Sequence, residues 1–265
     1  HAIDLLSRWM DIKSLSRMEV GDFQKKHAIE FVDWLQKEKS YKGKTVNSTV
    51  GDLKAMFYML VDREICKSNP FTVIKKLKEE EGKNVAFTPY EIEKVLKYMK
   101  KVNIRLYYAT QFVRYAFIRR TELTGIKVGN INLNSHTITI PADISKNGKH
   151  DSVTIPKSLE KIILEMGLNK ADPDLYIFGK GLETCKSKLR RVADISDAHR
   201  DIIEALDMRR ELIFYGWKHT GCVELYNIVK DPYVVCRQCR HSDIKMTMRY
   251  LRSLGLGINE AVRDW

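Results

Sequence analysis

A tyrosine and a histidine in one basic segment pose the first chemical question. The stretch "RHSDIKMTMRYLR", residues 240–252, sets His241 nine residues before Tyr250 among arginines and lysines. A phenol with a pKa near 10 is a weak nucleophile, so an attacking Tyr250 needs a proton acceptor and fixed cations from elsewhere in the chain. Three other segments offer them. "FIRRTELTGI" holds Arg119 and Glu122, "SKNGK" holds Lys146 and Lys149, and "YGWKHTG" holds Tyr215, Lys218 and His219. Taken singly, each reads as ordinary: an arginine beside a glutamate, lysines at a turn, a histidine in a helix.

The rest of the chain must position these groups. Residues 1–80 read as helices only. Phe23, Ile29, Val32 and Leu35 lie near helical spacing, and Val50, Leu53, Phe57, Leu60 and Val61 fall on one face of a second helix. Pro70 breaks the pattern, and "TVIKKLKEE" suggests one more short helix. The charged, apolar-poor stretch that follows marks a linker over residues 81–87, between a helical domain 1–80 and a second domain 88–265. That second domain opens on "TPYE", a capping box with Pro at the first helical position. Helices are expected to about Lys101 and from Ile104 to Arg119. Residues 136–156 then change period: "HTITIPADI" and "HDSVTIP" are β-type runs, and Asn147-Gly148 signals a two-residue hairpin turn. A further short strand is expected at "LYIFG", 175–179, and helix again after about residue 182. The expected fold class is therefore mainly α with a small antiparallel β-sheet.

Composition narrows the partners. The net charge is +12, made of +3 over residues 1–80 and +9 over 81–265, which points to an acidic partner, most commonly nucleic acid. No run of 18 apolar residues predicts a membrane span. Five cysteines, an odd number in a chain of 265 residues, argue against a disulfide framework and for a reducing compartment. His219-x2-Cys222 and Cys236-x2-Cys239 have zinc-like spacing, but free cysteine more often serves as a small buried hydrophobe.

Arg119, the hairpin lysine, "YGWKHTG" and the His241–Tyr250 pair follow one another in an order that resembles the tyrosine recombinase (phage integrase) family. That family's blocks are an Arg-x-x-Glu-Leu helix start, a lysine in a β-hairpin, His-x-x-Arg-His-Thr, and Gly-His followed by the nucleophilic tyrosine. Lys218 to His241 is 23 residues here, and "NPF" and "FTPYEIEKVL" also fit, so the resemblance covers nearly the whole chain. It implies a helical core-binding domain, a mixed α/β catalytic domain, and site-specific cutting and rejoining of double-stranded DNA for a mobile element. It also implies roles: Arg119 clamps the phosphate, Lys146 protonates the leaving 5′ oxygen, His241 donates to the phosphate or helps take the tyrosine proton, and Tyr250 attacks. Lys149 is the alternative hairpin lysine. Neither a cofactor nor a metal is required.

The chain departs from the pattern at two positions. Lys218 stands where the family has its second arginine, and Tyr215 where it has histidine, a variant that resembles a mobile-element subgroup. Lysine keeps the charge but loses the planar fork, and tyrosine cannot shuttle a proton near pH 7. A DNA-binding protein without activity and a type IB topoisomerase are the competing readings. Lys42 and Lys44, ahead of a helix, are expected to contact the DNA backbone. The resemblance further implies a homo-tetramer on DNA, joined through a C-terminal tail carrying Leu251, Leu254, Leu256 and Ile258, residues that fit equally well packed on their own domain. DNA-bending accessory proteins and a bacterial cytoplasmic location complete the expectation.

Overall fold

Two sets of apolar residues, separated by the charged run near residue 80, fold as two cores. The computed structural model describes residues 1–79 and 85–256, and the chain divides into two compact units, His1–Gly82 and Lys83–Trp265. Most of the linker expected at 81–87, and Ile258 of the tail, lie outside the described residues.

The first unit is helical: α1 (Ala2–Ile12), α2 (Lys25–Lys37) and α3 (Gly43–Asp62). Its core is aromatic. Trp9, Phe31, Phe57 and Phe71 are fully buried, and Phe23 stacks on Phe71 at 5.8 Å between centroids. Burying one such ring contributes roughly 1.5–3 kcal/mol. Val32 and Leu35 are buried as their spacing requires, but Ile29 is exposed and Phe23 precedes α2, reaching the core from a short 3-10 turn. The helix expected at "TVIKKLKEE" is only a 3-10 turn, Pro70–Val73. Beyond it, Asn47 takes the chain in hand: its side chain accepts from Leu77 N at 2.9 Å and donates to Leu77 O at 2.9 Å. These bonds replace the helical ladder.

The second unit begins with α4 (Pro89–Val102), whose capping box forms as expected: Thr88 Oγ1 accepts from Glu91 N, and Thr88 N donates to Glu91 Oε2 at 2.8 Å. Then come α5 (Ile104–Ala116) and the single turn α6 (Arg120–Leu123). Strands β1 (Ile131–Asn132), β2 (Thr137–Ile140) and β3 (Asp151–Thr154) form an antiparallel sheet in the order β1-β2-β3, with Ile138 opposite Val153. Ile138, Ile140 and Val153 face the core, as the alternation dictates. After the sheet come α7 (Lys157–Glu165), α8 (Ala193–Ala205), α9 (Gly216–Val229), α10 (Pro232–Cys239) and α11 (Ile244–Ser253).

Three expectations are corrected here. The Asn147-Gly148 pair does not close a two-residue hairpin, because β2 ends at Ile140 and β3 starts at Asp151. Instead Gly148 N bonds Ser145 O at 3.1 Å, so Lys146 and Asn147 are the centre of a turn within a longer loop, and Gly148 takes the left-handed conformation after it. "LYIFG" makes isolated bridges, Tyr176 to Lys127 and to Cys185, and not a strand. Helix resumes only at Ala193, since Cys185 is bridged to Tyr176 and Lys188 to Gly179.

Candidate active site

Helix α9 carries "GWKHTG" into the centre of the second unit, and its small residues make that possible. A Cβ on Gly221 would stand 1.7 Å from Arg114 O, so only glycine lets α9 lie this close to α5. Arg114 adds a bidentate pair with Glu224, with Nε to Oε2 at 2.8 Å. On the far side Trp217 stacks on Phe87 at 4.0 Å and donates to His199 Nε2 at 2.9 Å. Burial holds His199 well below the usual imidazole range, at about 4, so it stays a neutral acceptor. Thr220 closes the packing by accepting from Phe87 N at 2.9 Å. These contacts fix the roll of α9, and residues 216–222 are all buried.

The end of α5 supplies the first cation. Phe117 adopts the left-handed conformation, φ 53°, and stops the helix three residues earlier than its sequence pattern suggests. The turn points Phe117 O at Lys218, whose Nζ donates to it at 3.1 Å. Burial, with Arg119 and Arg240 close by, brings the Lys218 ammonium down to about 8. Arg119 then caps α6: its backbone N donates to Glu122 Oε2 and its Nη1 to Oε1, both at 2.8 Å.

Glu122 is completely buried and serves two arginines. Arg240 donates to it through Nη2 at 2.6 Å and Nη1 at 3.2 Å. Burial would raise this carboxyl, but the two guanidiniums outweigh it and hold the pKa below the usual range. Arg240 sits in the left-handed turn between α10 and α11, φ 55°. Its helix is tied to the sheet by Gln238, whose side chain donates to Thr154 O at 2.8 Å and accepts from Thr154 N at 3.1 Å.

Helix α11 begins at the Asp243 cap, buries Thr247 and Leu251, and holds Tyr250 partly buried one turn after Thr247. The Tyr250 hydroxyl meets Nδ1 of His219. His241 lies edge-on to the Tyr250 ring at 5.8 Å, with its Nδ1 engaged by Thr247 Oγ1 at 2.8 Å. Burial first, then nearby Lys218, bring both His219 and His241 to about 4, so both rings are neutral at neutral pH. Burial likewise pushes the Tyr250 phenol well above its ordinary value. Tyr215, half exposed at the start of α9, packs edge-on to His219 at 5.0 Å.

An open groove of about 1110 Å³, larger than a typical small-molecule pocket, is lined by Arg119, Arg240, His241 and Lys149. A neighbouring cavity is lined by Arg119, Lys146, Arg200, Arg210 and Tyr215, so Arg119 is shared between the two and the two hairpin lysines are divided. Lys42 and Lys44 are exposed at the start of α3 in the first unit. Leu251, Leu254 and Leu256 pack on a small cluster with Phe117, Cys222 and Val235 of their own unit, the second of the two uses expected of them. Among the described residues no three His, Cys, Asp or Glu side chains converge as metal ligands.

Sequence reading missed two parts of this arrangement. Arg240 was passed over because the resemblance puts glycine there, although an arginine in place of a family glycine is itself a signal. The pairing of Tyr250 with His219 depends on α9 meeting α11, which no local pattern reveals.

Residues 85–255 match the phage integrase family. The fold is similar to the Tn1549 transposon integrase in complex with transposon right end DNA, at TM-score 0.73 and 18% identity over 94% of this chain and 87% of that one. It is also similar to that integrase with a circular intermediate DNA, at 0.68 and 17% over 94% of each chain. A lambda integrase dimer bound to a core site matches at 0.72 and 13%, over 97% of this chain and 78% of the other. No curated protein matches. No helix among the described residues is long and apolar enough to cross a membrane. The family match extends from the approach to α4, through Arg119 and the lysine loop, to the tyrosine helix α11, and on that ground the chain belongs to the phage integrase family.

Proposed function

We propose that the chain is a site-specific DNA recombinase, the integrase of a mobile element, which cuts and rejoins DNA through a 3′-phosphotyrosine. The observation that carries this reading is the contact of the Tyr250 hydroxyl with His219 beside the buried Arg119–Glu122–Arg240 cluster. Tyr250 attacks the scissile phosphorus as its phenolic proton passes to Nδ1 of His219, which is neutral and able to accept it. The bond from phosphorus to the 5′ oxygen breaks, and Lys146 gives that oxygen its proton. Arg119 and Lys218 balance the charge that develops on the non-bridging oxygens. In the tautomer in which Nδ1 of His241 accepts from Thr247 Oγ1, the proton is on Nε2, from which His241 donates to the same oxygens. Tyr215 adds a hydrogen-bond donor at the mouth of the site. Religation runs the same steps backwards with a 5′ hydroxyl from the other duplex.

In this reading Lys42 and Lys44 bind the DNA backbone, and exchange between two duplexes uses four copies of the chain on bacterial DNA in the cytoplasm. The test is a nicked duplex bearing the terminal sequence of the element that encodes the chain. Wild-type protein should leave a covalent adduct on a denaturing gel and Tyr250→Phe none. An adduct that survives in Tyr250→Phe would refute the nucleophile, and no adduct from wild type would leave a DNA-binding protein. Relaxation of any supercoiled plasmid, without preference for the element's ends, would indicate a topoisomerase instead.

A further inference from the structure

Arg240 stands where the family pattern has glycine, and its backbone has the left-handed conformation that glycine favours, φ 55° and ψ 47°. An arginine costs backbone energy in that conformation, where glycine costs none. The side chain turns inward until 2% of it is exposed, and grips Glu122 with two of its five donors. Its Nε–H is buried with no acceptor among the described residues. Arg240 also lines the same groove as Arg119 and His241.

The family's second arginine is Lys218 here, and Lys218 is anchored to Phe117 O. An ammonium is a point charge, without the fork that matches a phosphate. Without Arg240, the buried cluster of Arg119, Lys218 and Glu122 carries a formal +1. With it the cluster carries +2, which matches the two negative charges of a five-coordinate phosphorane formed from a phosphodiester.

We infer that Arg240 is the second fixed guanidinium of the phosphate site, supplying from the turn between α10 and α11 the permanent charge that Lys218 does not. The inference rests on the recombinase reading above. The guanidinium is a permanent charge, whereas the Lys218 ammonium, brought down to about 8, is partly discharged near neutral pH. One carboxylate, Glu122, fixes Arg119 and Arg240 together, so the two guanidiniums are held in place before DNA arrives.

The experiment measures the rate of adduct formation on the nicked duplex for wild type, Arg240→Gly, Arg240→Lys, Lys218→Arg and the double variant Lys218→Arg/Arg240→Gly. Each protein is also followed by thermal melting. Arg240→Gly should lose roughly 10²–10³-fold in rate, the scale of removing one fixed donor from a transition state. Returning an arginine to position 218 should recover most of that loss, which a purely structural role for Arg240 would not allow. Arg240→Lys keeps the charge and a pairing with Glu122, and should fall between the two should Arg240→Gly fail to fold. Wild-type rates in Arg240→Gly or Arg240→Lys, or a folded double variant no faster than Arg240→Gly, would overturn the inference.

A second measurement separates this from failure of the recombinase reading. Binding of the same duplex is titrated against salt in the Tyr250→Phe background, where no cleavage is needed. Loss of Arg240 should lower the salt slope by about one, as removal of one phosphate contact does. An unchanged slope overturns the inference even where wild type makes no adduct.

Discussion

Nδ1 of His219 meets the hydroxyl of Tyr250, 31 residues further along the chain, although His241 is the histidine nearer to it in sequence. In the proposed reaction this contact gives the attacking phenol an acceptor. His219→Gln should lower adduct formation by roughly 10²–10⁴-fold with DNA binding unchanged. Burial and Lys218 hold His219 at about 4, so it accepts a proton over the whole range from pH 5.5 to 8. The rate should therefore show no acid limb near the ordinary imidazole value of about 6.5. A limb there in wild type would assign the acceptor role elsewhere.

His199 makes stability depend on pH. It is neutral in the fold with a pKa of about 4, against 6.5 for the free side chain, so the unfolded chain binds more protons between those values. Its contribution is complete above pH 6.5 and is lost as pH falls toward 4, by up to about 3 kcal/mol. The fall in urea midpoint from pH 7.5 to 4.5 contains it together with the contributions of His219 and His241, also held at about 4. His199→Gln, which can still accept from Trp217, should show a smaller drop between the two.

Glu122→Gln removes the one carboxylate that Arg119 and Arg240 share. Breaking a buried pair in this way costs about 3–5 kcal/mol. In wild type the lowered carboxyl stabilises the fold above the ordinary carboxylate range, and that contribution disappears as pH falls through its folded pKa. The variant should melt lower at pH 7 and lose the difference at strongly acid pH. An unchanged melting temperature at pH 7 would mean that the cluster is not a stabilising element.

The two loop lysines can be told apart by their leaving groups. A substrate with sulfur at the bridging 5′ position needs no protonated leaving group. Lys146→Ala should cut the ordinary duplex roughly 10²–10⁴-fold more slowly and the sulfur duplex at nearly the wild-type rate. The same rescue in Lys149→Ala, without it in Lys146→Ala, would move the acid to the lysine that lines the groove with His241.

Gly221→Ala tests the seating of α9. The added methyl would overlap Arg114 O, and relief requires α9 to move off α5. Overpacking of this kind costs at least about 1–3 kcal/mol, and a shift of α9 displaces Lys218 and His219 together. Reduced melting temperature and slower adduct formation should appear in the same variant.

Local patterns were legible wherever a residue acts on its near neighbours. The Thr88–Glu91 box, the alternation of Ile138 and Ile140 and the face of Val50, Leu53 and Phe57 all follow from short-range rules. The misread elements are those in which a distant group outbid a local preference. Asn47 captures the backbone at Leu77 in place of a helix, and Tyr176 pairs with Lys127 and Cys185 as bridges without a strand.

For the proposed site, the sequence by itself determined which residue types are present and in what order: Arg119, Lys146, Tyr215, Lys218, His241 and Tyr250, with lysine at position 218 where the resemblance implies arginine. Spacing along the chain records which groups are present, because each block is a short segment with its own helix or turn. Only the tertiary structure decided that His219 faces Tyr250, that Glu122 joins Arg119 to Arg240, and that the two loop lysines line different cavities. Those relations depend on the roll of α9 against α5 and on the left-handed turns at Phe117 and Arg240. Both are set by packing between residues about a hundred positions apart, which no local pattern encodes.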